Sequence, residues 1–163
     1  MKKQSAGLLV YRMKEGKLEV LIAHQGGPFW ARKDVWTIPK GLYEQDEEPL
    51  VAARREFEEE IGQKSPNGRT IALGEITRKD GKTIKAWAIE GDIDVSKVKS
   101  NTFEIEWPPR SGKIQEFSEV DRAAWVDINS ATAKMHTGQD VFIKRLAEKL
   151  GATFAPPKQN SLF

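Results

Sequence analysis

"GLYEQDEEPLVAARREFEEEIGQ", residues 41–63, packs eight acids and two arginines into the seventeen positions from Glu44 to Glu60. Its centre, Pro49 to Ile61, reads as a helix, with proline tolerated in the first turn and Gly62 supplying the stop. Wound at about 100° per residue, Leu50, Ala53, Phe57 and Ile61 form one stripe that is expected to face a core. Glu56, Glu59 and Glu60 fall together on another side, three carboxylates within reach of one point. Like charges at that spacing repel by about 0.2–0.5 kcal/mol per pair, so either solvent absorbs the cost or something positive sits among them. Glu58 lies elsewhere on the wheel and is expected to be solvated. Arg55 flanks the cluster and is placed to hold a carboxylate bidentately. A hard cation such as Mg²⁺ takes oxygen ligands, typically one or two carboxylates completed by water and substrate phosphates, and glutamates at this spacing can supply them.

Around that segment stands an ordinary globular composition. The chain has 163 residues, 39% of them hydrophobic, about the size of one domain with a real core. No apolar run approaches the roughly 20 residues that span a bilayer, and Ala6–Tyr11 is too short for a signal-peptide core. The absence of cysteine removes disulfides, thiolate metal sites and cysteine nucleophiles, and makes the cytoplasm the expected compartment. A net charge of +2 hides an asymmetry: Glu44–Glu60 carries −6, so the rest of the chain carries +8. A concentrated acidic site in an otherwise basic protein suits an anionic substrate that arrives with divalent cations; the plainer alternative is an acidic, solvated helix face.

Further out, Gly7–Arg12 and Leu18–His24 read as strands joined by a turn at residues 14–17. Thr70–Arg78 and Thr83–Ile93 flank Asp80-Gly81, a strong hairpin signal. Phe103, Ile105 and Trp107 alternate with polar neighbours as a strand does, and Ala123–Ile128 is another. A second helix is predicted from Asp140 to Leu150, followed by Gly151. Strands and helices in this order make an α+β class with a mixed sheet, a single domain over residues 1–150, and a C-terminal tail over 151–163 that either docks through Phe154, Leu162 and Phe163 or is disordered.

The wider spacing, Gly41-x5-Glu47-x7-Arg55-Glu56-Phe57-x-Glu59-Glu60-x-Gly62, resembles the signature of the Nudix hydrolase family. Two apolar slots depart from that pattern: Phe57 is aromatic, and Gln63 replaces a final apolar residue. "WTIPKG" (Trp36–Gly41) is similar to the approach seen in members acting on dinucleoside polyphosphates and inositol pyrophosphates, and Glu119–Ile128 also looks like the family. The resemblance covers roughly residues 5–150. It implies an α/β/α sandwich around a mixed sheet and Mg²⁺- or Mn²⁺-dependent cleavage of a diphosphate linked to another moiety.

By that resemblance Glu56, Glu59 and Glu60 are metal ligands joined by the carbonyl of Lys40, Arg55 orients the carboxylates, and Glu47 supports loop and helix. Gly41 allows a tight backbone approach. The general base is Glu119, with Glu116 and Glu56 as alternatives. Arg32, Lys33, Lys40, Arg110 and Lys113 are nominated for phosphates, and Phe29, Trp30 and Trp107 for stacking; a buried tryptophan and solvated cations would explain the same letters. His24 and His136 are expected to be structural or exposed. No P-loop is present. The substrate expected is a small nucleotide-type polyphosphate, best a dinucleoside polyphosphate, with a nucleoside triphosphate or nucleotide-sugar diphosphate as alternatives. A non-catalytic nucleotide-binding domain is the alternative of another class. Nucleic acid is not the expected partner, because no RNA-binding motif accompanies the basic excess, although capped RNA 5′ ends form a third alternative. No feature of the sequence sets the oligomeric state.

Overall fold

Strand β1 (Gln4–Lys14) is buried along nearly its whole length, and its two faces feed two different cores. Successive side chains of a strand point to opposite faces. Leu8 and Val10 therefore enter one core, with Leu21, Ala53, Phe57 and Ile61, while Leu9 and Tyr11 enter the other, with Ile22, Phe142, Ile143 and Leu146. The helices that supply those residues lie on opposite faces of one sheet. This is the α/β/α sandwich expected from the sequence. The computed structural model describes residues 3–154. The tail predicted over 151–163 falls mostly outside the described residues; within them, Phe154 is exposed.

The sheet runs β3 (Trp36–Thr37), β2 (Lys17–Gln25), β1, β6 (Thr83–Glu90), β5 (Thr70–Thr77), with β4 (Lys40–Leu42) also pairing β1 and β9 (Val120–Asp127) also pairing β2. The β1–β6 pair is parallel and the others are antiparallel, so the sheet is mixed. The predicted turns are present, with Lys14 opposite Lys17 and Thr77 opposite Thr83. Helices α1 (Pro49–Ile61) and α3 (Asp140–Leu150) occupy the predicted spans.

Several sequence expectations need correction. Leu50, in the first turn of α1, is only half-buried, and Ala52 joins Ala53, Phe57 and Ile61 in the buried stripe. The strand signalled by Phe103, Ile105 and Trp107 ends at Glu106, and Trp107 opens the connection that follows. Ile114–Ser118 forms β8, paired antiparallel with β7 (Thr102–Glu106) in a separate two-stranded ribbon. Ile128, read as the end of a strand, opens a short helix, α2 (Ile128–Lys134), whose first turn is capped by the Asp127 carboxylate accepting from Ser130 N–H at 3.0 Å. Gln63 has a use of its own. Its side-chain amide donates to the Asp94 carbonyl at 2.8 Å and accepts from Asp94 N–H at 3.3 Å, tying the helix exit to the next segment.

Candidate active site

The positive group among the carboxylates is Arg55. Its Nε and Nη2 donate to the two oxygens of Glu47 at 2.8 and 2.9 Å, a bidentate pair that fixes the guanidinium plane. Its Nη1 then donates to Glu56 at 2.9 Å and to Glu59 at 3.2 Å. One arginine thus holds three carboxylates, with Glu47 gripping it from the loop before the helix. These bonds hold the Glu47 carboxyl below its usual range.

Glu60 is held differently, by the backbone N–H of Lys40 at 3.0 Å. Burial pushes its carboxyl up to about 8, while the Lys40 N–H and ammonium pull the other way. Burial likewise raises Glu56, with Arg55 opposing. The Lys40 ammonium is pushed down by burial and by Arg78 and Lys82, and pulled up by Glu60 and Glu56. Gly41 explains the tight approach of β4 to α1: a Cβ there would fall on the Glu56 carboxylate.

Glu119 lies in the same electrostatic field as Glu56, Glu59 and Glu60. A backbone relay places it. Asn101 N–H donates to the Glu59 carbonyl at 2.9 Å, and the Asn101 carbonyl accepts from Glu119 N–H at 2.9 Å. On its other side the Glu119 carbonyl accepts from Gly26 N–H at 2.9 Å, and a Cβ at Gly26 would collide with the Ser118 carbonyl. Burial, then Glu59, raises the Glu119 carboxyl. Glu116 stands apart, exposed on β8 opposite Glu104. Glu58 is not merely solvated: its carboxylate accepts from Ser65 N–H at 2.9 Å and from the Ser65 hydroxyl at 3.1 Å, pinning the loop that leaves α1.

The nominated substrate residues divide by loop. Phe29, 55% exposed, meets Trp107 edge to face at 5.3 Å between centroids. Trp30, the next residue, turns the other way to meet His136 at 5.8 Å and carries the Lys33 ammonium over its ring at 5.0 Å. Arg32 is exposed on the same loop. Arg110 is exposed in the β7–β8 connection, where its N–H donates to Glu106 at 2.8 Å. His24 is fully buried and structural: Nδ1 reaches the Asp121 carboxylate at 2.8 Å and Nε2 the Lys33 carbonyl at 2.6 Å, binding the loop to β9.

Sequence reasoning missed Arg78 and Lys82. The charged run around Asp80-Gly81 was visible, but only the sheet order, which pairs β4 and β6 with the same residues of β1, lets those charges push the Lys40 ammonium down.

Oxygen donors fit a hard divalent cation. Among the described residues, however, no three side chains already converge as a cage, because Arg55 takes Glu56 and Glu59 and the Lys40 N–H takes Glu60. A site for Mg²⁺ that draws part of its shell from water and substrate phosphate has that character.

A family model described as the NUDIX domain matches residues 1–146. An RNA pyrophosphohydrolase of Bartonella henselae is 29% identical, the match covering 78% of each chain. Among solved structures, a C. elegans Ap4A hydrolase binary complex superposes with a TM-score of 0.60 at 21% identity, over 91% of this chain and 98% of the other. The NUDIX domain of Shewanella oneidensis NrtR, complexed with ADP ribose, superposes with 0.63 at 13% identity, over 92% and 89%. Those two likenesses concern the fold, while the match of the domain model extends over most of the chain and includes the acidic helix. The chain belongs to the Nudix family, as a hydrolase of pyrophosphate bonds.

Proposed function

We propose that the chain is a divalent-metal-dependent pyrophosphohydrolase of nucleotide-type substrates, with dinucleoside polyphosphates as the best substrate class. The observation that carries this reading is the Arg55 guanidinium, held by Glu47 and directed at both Glu56 and Glu59. An acidic face made for solvation has no need of such an organiser. Glu56, Glu59 and Glu60, with the Lys40 carbonyl, would hold the ion, Mg²⁺ or Mn²⁺. When bound, it neutralises charge on the phosphates.

The chain's own groups do the rest. Arg55 keeps two carboxylates in register, Lys40 offers a cation to the phosphate chain, and the Phe29–Trp107 pair offers an apolar edge to a base. Glu119 takes a proton from the attacking water as its oxygen bonds to phosphorus. The bridging P–O bond breaks, and its electron pair leaves with the departing phosphate. Position supports Glu119 over Glu116, because the Asn101 relay ties Glu119 to Glu59 while Glu116 faces solvent. Glu56 is the alternative base. Arg32, Lys33 and Arg110 remain candidates for outer phosphates.

A second reading, pyrophosphate cleavage at an RNA 5′ end, is favoured by the Bartonella relative and by the +8 charge outside the acidic segment. A product-resolved screen with Mg²⁺ across dinucleoside polyphosphates, nucleoside triphosphates, nucleotide sugars and 5′-triphosphate RNA separates these. Asymmetric cleavage of diadenosine tetraphosphate to ATP and AMP is expected. Brisk turnover of a nucleoside triphosphate or of RNA, with no dinucleoside polyphosphate cut, would overturn the substrate class and leave the reaction class standing.

A further inference from the structure

His24 is fully buried near the end of β2, and each of its ring nitrogens faces an oxygen: Nδ1 the Asp121 carboxylate at 2.8 Å, Nε2 the Lys33 carbonyl at 2.6 Å. A neutral imidazole has one N–H and one lone pair, so it can donate to only one of them. A carbonyl oxygen has no proton to give, and the short contact to Lys33 therefore puts a proton on Nε2. The contact to Asp121 holds a second proton, because without it a nitrogen lone pair would meet a carboxylate at hydrogen-bond distance. With both in place the ring is an imidazolium, its buried charge compensated by the carboxylate beside it. The Trp36 ring packs against it edge to face, at 5.1 Å between centroids. The other charges nearby have partners of their own. Arg122 reaches the same Asp121 oxygen at 3.5 Å and lies over the Trp36 ring, and Asp34 accepts from Lys134 and from the Trp36 indole, each at 2.7 Å.

What His24 holds is the loop that follows β2. The loop is fixed at its start by the Gly26 N–H on the Glu119 carbonyl, and near its end by the Lys33 carbonyl on His24. In between, the N–H groups of Ala31 and Lys33 donate back to the carbonyls of Gly27 and Trp30 at 3.1 and 3.0 Å, so the segment turns as a unit. Phe29, within it, is exposed and meets Trp107 of the β7–β8 connection. Glu119 has backbone anchors at Gly26 and Asn101, neither of which involves the Lys33 end of the loop.

We propose that His24 is a positioning residue: as a doubly protonated imidazolium it latches the loop of residues 26–34 and so sets Phe29 against Trp107 to receive the base of the substrate. The inference rests on the reading of that aromatic pair as the base-binding edge of a nucleotide pyrophosphohydrolase. His24 itself, fully buried, is out of a substrate's reach. Its effect falls on binding and not on the bond-breaking step.

The test starts from the parent protein, so that it does not depend on the folding of a variant. In the full chain labelled with ¹⁵N-histidine, both ring nitrogens of His24 are expected to give protonated-type chemical shifts at neutral pH. As alkali removes the second proton, the amides of Phe29, Trp30 and Ala31 should move with the same midpoint. A lone-pair nitrogen on His24 at neutral pH, or loop amides indifferent to its titration, would overturn the proposal. Two substitutions then separate the bonds. His24→Asn keeps a donor in the place of Nδ1 and loses the one at Nε2, whereas His24→Gln keeps the donor at Nε2. With Mg²⁺, His24→Asn should raise KM for diadenosine tetraphosphate about tenfold with kcat little changed, and His24→Gln should recover most of that loss. In a Phe29→Ala background His24→Asn should add little, because it acts through that ring. An unchanged KM, a fall in kcat alone, or an undiminished loss without Phe29 would each contradict the assignment. If the spectra show the latch but no nucleotide polyphosphate is hydrolysed, the substrate reading fails and the latch stands.

Discussion

Glu119 and Glu116 are three residues apart, yet only Glu119 is tied to the acidic helix, through Asn101. If Glu119 takes the proton, Glu119→Gln should lower kcat by about 10²–10⁴-fold, the usual contribution of a general base, with metal affinity nearly unchanged. Glu116→Gln should cost little. Steady-state kinetics and metal titration of both variants check this, and equal mild losses would return the role to Glu56. Gly41 gives a second test. Because a Cβ there falls on the Glu56 carboxylate, Gly41→Ala should displace that group and reduce turnover about 10²-fold, the cost of a misplacement near 1 Å. Its thermal melt should stay close to that of the parent; a large fall in melting temperature would show that the contact is structural. At this scale the sequence was informative where spacing alone decides. Glu56, Glu59 and Glu60 share a helix face by arithmetic, and Arg55 beside them is within reach. Glu58 was misread because its partner, Ser65, lies beyond the helix in a loop whose path no periodicity encodes.

Elements with a strong repeat were legible, and those held by neighbours were not. Helix α1 shows its apolar stripe and its stop, and α3 shows the same. Strand β8 hides because Ile114, Gln115 and Glu116 are all exposed, so no alternation marks it; pairing with β7 orders it. Helix α2 has only seven residues, Asn, Ser and Thr among them, and depends on its Asp127 cap. Asp127→Ala should therefore destabilise the protein by about 1 kcal/mol at neutral pH. The carboxyl of Asp127 is held below its ordinary range by its bonds to Ser130. A depressed carboxyl stabilises the fold above the unfolded-state value and loses that contribution as pH falls through the folded-state value. The gap between parent and variant in urea melts should accordingly narrow below about pH 4. For α1, Phe57→Ala should cost about 3–5 kcal/mol and Leu50→Ala clearly less, because only Phe57 is fully buried. Equal losses in denaturant melts would contradict the packing described here.

Across the whole molecule, one sheet separates two cores and gathers the functional groups from distant parts of the chain. The acidic helix lies on one face, the strand of Lys40 and strand β6 pair with the same stretch of β1, and β9 begins immediately after Glu119. Composition foretold a folded domain with segregated charge, but that β4 and β6 flank the same residues of β1 follows from strand order. Among the described residues no helix is long and apolar enough to cross a membrane. The helix α1 is anchored by the buried side chains of Ala52, Ala53, Phe57 and Ile61. Function and fold should therefore part company when metal is withdrawn. The measurement is hydrolysis of diadenosine tetraphosphate by the full chain with Mg²⁺, then with excess chelator, then with Mg²⁺ restored, followed in parallel by circular dichroism. Activity should vanish and return while the spectrum holds, and Glu59→Gln should stay depressed by orders of magnitude at every Mg²⁺ concentration. Hydrolysis that persists in chelator, or a Glu59→Gln variant as active as the parent, would contradict a metal-dependent reaction at this helix.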